Sequence, residues 1–228
     1  MLCRRLEEKI GQCRKCAEIL SGKCVDPTKG NDRVEPRPIV SRIASQTIML
    51  VGQAPGLTEY RRAKAFQGPA GRQIRNILAG VGISHGRFGE LVYPTAIVRC
   101  FPGSKRTKRG RGDEIPAPRM VENCLPFLRQ VREILKPKII ITLGAFPLKA
   151  YLNLRNRKLR SITLGEYVGT SDFWDGAIVI FLPHTSGNSL WLNKTENRAR
   201  LETAKYILRK ALIDCHLINA NPIAFQGG

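Results

Sequence analysis

Thr47-Ile-Met-Leu-Val51, running directly into Gly52-Gln-Ala-Pro-Gly56, is the stretch on which the reading of this chain turns. The apolar run is too short for a buried helix and stops at a glycine, so it reads as a buried strand. Three further runs have the same character: Leu91 to Val98, Lys138-Ile-Ile-Ile-Thr-Leu143 and Ala177-Ile-Val-Ile-Phe-Leu182. Helical spacing fills the intervals between them. Ile74, Ile77 and Leu78 share one face before Gly80, and Val121, Cys124, Leu125, Leu128, Val131 and Leu135 share another before Pro137. Continuous apolar strands alternating with amphipathic helices predict an α/β fold, a three-layer sandwich with a central four-stranded parallel sheet flanked by helices.

Working outward, Leu2, Leu6, Ile10 and Cys13 predict an opening helix, and residues 22–46 an irregular connection. The segment 102–118, dense in Lys, Arg, Gly and Pro, is not expected to be regular throughout. Asn193 with Glu196 resembles a capping box before the helical positions Leu201, Ala204, Leu208 and Leu212. The length of 228 residues suits one domain, 1–228, with a cysteine-bearing N-terminal helix. Ligands of parallel sheets sit at the carboxyl ends of the strands. The unusual segments 52–59, 99–112, 144–147 and 183–193 all follow strand ends, which points to a site there.

Lys and Arg number 38 against 18 acids, a net charge of +20. Self-repulsion of that size opposes compaction unless an anionic partner offsets it, and nucleic acid is the first candidate. No apolar run is long enough to span a bilayer, so no membrane partner is expected. The opening Met1-Leu-Cys-Arg-Arg-Leu-Glu-Glu is not a signal peptide, so the seven cysteines are expected in a reducing compartment, in metal binding or core packing. Cys13-Arg-Lys-Cys16, with Cys100 and Cys124, can form an S4 site for zinc or for an iron–sulfur cluster, and spacing does not choose between them. Cys3, Cys24 and Cys215 read as ordinary cysteines.

Taken in order, these segments resemble the iron–sulfur branches of the uracil-DNA glycosylase superfamily, closest to family 4 with family 5-like features. Gly52-Gln-Ala-Pro-Gly56 with Glu59 is similar to that family's first motif, and Phe66-Gln-Gly-Pro-Ala-Gly71 to its continuation. Cys100-Phe-Pro-Gly103, Cys124-Leu-Pro-Phe-Leu128, Lys136 to Gly144 and His184-Thr-Ser-Gly-Asn188 match later segments. The resemblance spans about residue 10 to about residue 212. It implies a monofunctional repair hydrolase, monomeric, cytoplasmic, prokaryotic-type and nucleoid-associated, that flips uracil out of DNA and hydrolyses the N-glycosidic bond. It also implies a structural [4Fe–4S] cluster on Cys13, Cys16, Cys100 and Cys124.

By the same resemblance His184 donates to uracil O2, Phe66 stacks on the flipped base, and Gln53 and Ala54 contact the base edge. Glu59 steers water or stabilises the sugar cation. Ser186, Gly187 and Asn188 press the minor groove, and Leu190 or Trp191 is the wedge. Lys105, Arg106, Lys108, Arg109 and Arg111 are expected on DNA phosphates. The chain departs from the pattern at three places. Gln53 stands where family 4 has Glu, so a carboxylate is missing. Ala96 stands where it has an Asn that reads uracil, and an alanine makes no such contact. Extra residues, Ser104 to Gly112, follow Cys100. In addition Gly56, which fits the iron–sulfur motif, stands where the best-known branch of the superfamily has an aromatic that excludes thymine. These departures imply a catalyst that accepts bases besides uracil. The cross-linking histidine of a related subfamily is also missing, since no histidine lies between His85 and His184. Two rival readings are a non-catalytic iron–sulfur or zinc nucleic-acid-binding protein and a family member that has lost activity.

Overall fold

The computed structural model describes residues 2–30, 32–108, 110–156, 162–185 and 190–220, with only the backbone of Leu190. Two short helices, α1 (Leu2–Gly11) and α2 (Ala17–Ser21), precede strand β1 (Ile48–Gly52). Helices α3 (Leu57–Arg62), α4 (Pro69–Gly80) and α5 (Phe88–Leu91) lead to β2 (Val92–Ala96). A hairpin follows, β3 (Ser104–Thr107) and β4 (Gly110–Asp113), then α6 (Pro118–Leu135) and β5 (Ile139–Leu143). The chain closes with α7 (Ala145–Leu154), α8 (Leu164–Tyr167), β6 (Ser171–Trp174), β7 (Ala177–Leu182) and α9 (Thr195–Asp214).

The main sheet has the order β2-β1-β5-β7-β6. The four predicted strands pair in parallel, as expected. A fifth, β6, pairs antiparallel with β7 at the edge. It escapes an apolar-run criterion because its residues alternate between exposed and half-buried. Its turn is nevertheless written in the chain: Asp175-Gly176, both with positive φ, is a two-residue hairpin signal.

Each strand feeds both faces. Ile48 and Leu50 of β1 pack with Ile74 and Leu78 of α4 and Leu201, Leu208 and Leu212 of α9. Met49 and Val51 pack with Leu6 and Ile10 of α1, Phe127 and Val131 of α6 and Leu148 of α7. Helices on both faces explain why these strands are apolar without alternation.

One local expectation holds and another changes. Segment 102–118 is not regular throughout, but its middle is an antiparallel ribbon pairing Ser104 with Asp113 and Thr107 with Gly110. It is seated on the irregular segment before β1, through Ser104 N to Cys24 O at 2.8 Å and a Lys23–Glu114 ion pair at 2.6 Å. Helix α9 has Lys194 as its N-cap, so the box of Asn193 and Glu196 does not form. Asn193 belongs to a preceding 3-10 turn, and Asn197 ties that turn to the helix by donating to the Trp191 carbonyl at 2.7 Å. Among the described residues no helix is long and apolar enough to cross a membrane.

Candidate functional site

A cleft of about 390 Å³ opens at the carboxyl ends of the strands, lined by residues 52–59, the Phe66 turn, Ala96, Leu143 and His184, and by Arg111 and Asp113 of the hairpin. It is large enough for a single base. The parallel pairing of β1 with β2 continues past the strands: Gly52 O and Gln53 O accept from the amides of Ile97 and Val98 at 2.9 and 3.1 Å. Ala96 pairs with Gly52, and its methyl group lines the cleft.

Phe66 is not a core residue. Its ring is half-buried at the cleft and lies over the backbone of Gly52, where a Cβ would come within 3.2 Å of Phe66 Cζ. Phe66 adopts φ +54, a left-handed conformation that bulky residues rarely accept and that functional sites hold by force. Here the force is visible. Arg75 Nη1 donates to Phe66 O at 2.7 Å while its guanidinium stacks 4.3 Å from the Phe88 ring. Any Cβ at Gly71 would meet Phe66 O at 1.9 Å, so only glycine lets the turn close.

His184 follows β7 and sits against Gly144, whose φ of +88 and missing side chain make room: a Cβ there would lie 3.1 Å from His184 Cβ. The next residue, Thr185, donates to Ala70 O at 2.9 Å and so fixes the histidine loop to the start of α4, just after the Phe66 turn. His184 is solvent-accessible because it faces the open cleft. The protein mass around it still lowers its pKa, with the Asp113 carboxylate opposing. At neutral pH it is therefore an uncharged imidazole, able to donate from one nitrogen.

Glu59 is committed to the backbone. Its Oε1 accepts from Gly68 N at 2.7 Å and its Oε2 from Gly56 N at 3.2 Å. It caps α3 and staples the Gly52 loop to the Phe66 turn. Gln53 and Ala54 are half-buried on the cleft wall.

Lys105, Arg106 and Lys108 are exposed along the hairpin. Arg111 differs: it is half-buried, turns toward the cleft, donates to Ser104 Oγ at 2.7 Å and pairs with Asp113. Arg109, Ser186, Gly187, Asn188 and the side chain of Leu190 lie outside the described residues. Trp191 is half-buried and packs on the α9 side of the core.

The four cysteines of interest come from three places: Cys13 after α1 and Cys16 capping α2, Cys100 after β2, and Cys124 on α6. Cys16, Cys100 and Cys124 are buried. Burial pushes the Cys100 and Cys124 thiols up, and neighbouring sulfurs add to it: Cys124, Cys16 and Cys13 act on Cys100, and Cys16 and Cys13 on Cys124. Yet among the described residues no three His, Cys, Asp or Glu are gathered tightly enough for a single metal ion. Cations and amide donors surround the sulfurs. Asn123 Nδ2 reaches Cys16 Sγ at 3.5 Å, the Arg99 amide donates to Cys124, and the Arg14 and Arg99 guanidiniums act on Cys100 and Cys124. Cys3 is half-buried against the same core, Cys24 donates to Gly30 O at 3.3 Å, and Cys215 is half-buried beside Lys138.

Two residues of the site escape a reading of the sequence. Arg99 is 3% exposed, lines the cleft, and its Nε and Nη2 meet no protein acceptor. Only its position beside Cys100 hints at a role. Asp113 ends the hairpin inside the cleft, beside Glu59 and His184. The one signal is an acid closing a run of basic residues.

A model of the uracil DNA glycosylase superfamily matches residues 40–207 of this chain. The chain is 32% identical over 166 residues to the type-4 uracil-DNA glycosylase of Pyrobaculum aerophilum, covering 73% of this chain and 71% of that one. It is 30% identical over 171 residues to the type-4 uracil-DNA glycosylase of Saccharolobus solfataricus, covering 75% and 67%. The type-5 uracil-DNA glycosylase of Pyrobaculum aerophilum is 27% identical over 178 residues, covering 73% and 71%.

Proposed function

The chain belongs to the uracil DNA glycosylase superfamily, and from that membership we propose that it excises uracil from DNA by hydrolysing the N-glycosidic bond, as a monofunctional repair glycosylase. The observation that carries this reading is the convergence of Phe66 and His184 on one base-sized cleft at the strand ends. A base inside a duplex is out of reach, so it enters this cleft extruded. Phe66, held in its left-handed turn, offers a ring face already in place. As the glycosidic bond breaks, negative charge grows on the base oxygens. A neutral His184 then donates to the O2 side, where a preorganised donor acts most strongly in a water-poor site. The loop around Gln53 and Ala54 meets the base edge, and the alanine at 96 leaves the far edge without a side-chain partner. Uracil is the preferred base, and other deaminated or 5-substituted bases are accepted at lower rate.

Cys13, Cys16, Cys100 and Cys124 would hold a [4Fe–4S] cluster, which supplies a structural tie rather than electrons. One feature favours an anionic thiolate centre at this place. Arg99 is a buried cation with unsatisfied donors, expensive unless an anion lies near, and a cluster on four thiolates is such an anion.

The test is release of uracil from a single-stranded oligonucleotide, with an alkali-labile abasic site as product. Binding of that oligonucleotide with no base released would leave only the nucleic-acid-binding reading. Purified protein should be brown with iron and sulfide in equal amounts, and stoichiometric zinc without iron would refute the cluster.

A further inference from the structure

Hydrolysis of a glycosidic bond needs a group to orient and deprotonate the attacking water, and to face the positive sugar. Position 53 supplies none, because glutamine has no basic oxygen of carboxylate strength. Glu59 has a carboxylate, but both oxygens already accept backbone amides at 2.7 and 3.2 Å. Those two bonds tie it to the Gly56 loop and the Phe66 turn.

The second carboxylate of the cleft stands in a different state. A Cβ built on Gly56 would lie 2.9 Å from Asp113 Oδ2 and 3.0 Å from Glu59 Oε2, so both acids flank the space left by the missing Gly56 side chain. Asp113 arrives from the hairpin, not from the sheet. Its groups of opposite or like charge are Arg111 on its own strand, Glu59 on α3 and His184 after β7, and the Leu57 amide donates to it. It lines the cleft with His184 and Phe66, and two fifths of its side chain remains open to solvent.

We propose that Asp113, delivered by the β3–β4 hairpin, is the catalytic carboxylate of this enzyme. This rests on the glycosylase reading above. Asp113 accepts a proton from a water in the cleft as that water's oxygen bonds to the anomeric carbon. The carbon–nitrogen bond breaks and its electron pair leaves with the base, whose growing charge His184 receives. The proton passes from Asp113 to the released base or to solvent, so the site returns to its starting state. Glu59 is a positioning residue that holds the loop and the Phe66 turn. Burial raises the Asp113 pKa from its ordinary value, against the hydrogen bond and charge of Arg111 that lower it. A base with a raised pKa is a better match to neutral pH.

The experiment is single-turnover excision of uracil from a single-stranded oligonucleotide by the iron-loaded protein, across pH 4–9. Asp113→Asn should slow the chemical step by about 100-fold or more, a general base's typical share, with oligonucleotide affinity essentially unchanged. In wild type the rate should fall as pH drops through the raised Asp113 value, and this acid limb should vanish in Asp113→Asn. Formate added to Asp113→Gly should restore part of the rate, which a purely structural residue would not allow. An Asp113→Asn variant with wild-type rate and an intact acid limb would overturn the assignment while leaving the glycosylase reading standing. So would an acid limb abolished in Glu59→Gln but kept in Asp113→Asn, or a slower Asp113→Asn whose DNA affinity weakens in step, together with an Asp113→Gly that formate does not rescue. Wild-type protein that releases no uracil would instead defeat the glycosylase reading, and this assignment with it.

Discussion

The cleft has two walls of different origin. One is made of loops leaving the sheet: the Gly52 loop, the Phe66 turn and the His184 loop, each braced by the core beneath it. The other is the β3–β4 hairpin, a ribbon with Lys105, Arg106 and Lys108 in solvent, attached through Cys24 and Lys23 rather than through the sheet. The first wall carries Phe66 and His184, the residues proposed above to grip a base. The second carries Asp113 and Arg111 inward and Lys105, Arg106 and Lys108 outward. A carboxylate missing from the braced wall at Gln53 is therefore not missing from the site, because a neighbouring ribbon reaches the same space.

If the braced wall handles the leaving base, His184→Ala should cost the most, about 10²- to 10³-fold in the single-turnover rate, as for one preorganised oxyanion donor. Oligonucleotide affinity should hold. A near wild-type rate would move the donor to the hairpin and undo the division of labour. The outer face of the ribbon comes next. Changing Lys105, Arg106 and Lys108 together to Ala should reduce the slope of log affinity against log salt by roughly two units on single-stranded DNA, about 0.7 for each phosphate no longer neutralised. Arg111 is left out because it is engaged with Asp113. An unchanged slope would show that this face does not meet DNA.

Gly56→Ala probes the seam between the walls. Its φ of −85 accepts alanine, so the only obstacle is contact with the two carboxylates. Asp113 is at the end of a side chain on a ribbon and can yield, so we expect excision to slow by about tenfold with melting temperature shifted by only a few degrees. A rate equal to wild type would mean that the position of Asp113 is not critical. The smallest effect belongs to Ala96→Asn on the braced wall. It should change the ratio of uracil to hypoxanthine or 5-substituted uracil excision by several-fold in favour of uracil, because an added hydrogen-bonding group penalises a mismatched base. Competition between substrates in one tube measures that ratio directly.

Much of the first wall is legible in the chain. Apolar runs buried on both sides mark parallel strands, and glycine and proline after them mark where the chain turns into the cleft. The four cysteines are legible as a set but not as a kind of site, since thiolate spacing serves zinc and iron alike. Strand β6 is not legible as a strand, because an edge strand with one wet face has no apolar run, although Asp175-Gly176 announces its turn.

What the sequence determined by itself is whatever depends on short-range pattern: the four parallel strands, the helices on both faces, the position of the cleft at the strand ends, and Phe66 and His184 as its candidates. Tertiary structure alone decided the rest. Glu59 is a backbone staple and Asp113 an acid of the cleft because of which groups surround each in space, and those groups come from residues 56, 57, 68, 111 and 184. A carboxylate's chemistry is set by the donors, charges and water within a few ångströms of it. Nothing in the order of residues records which distant segments supply them.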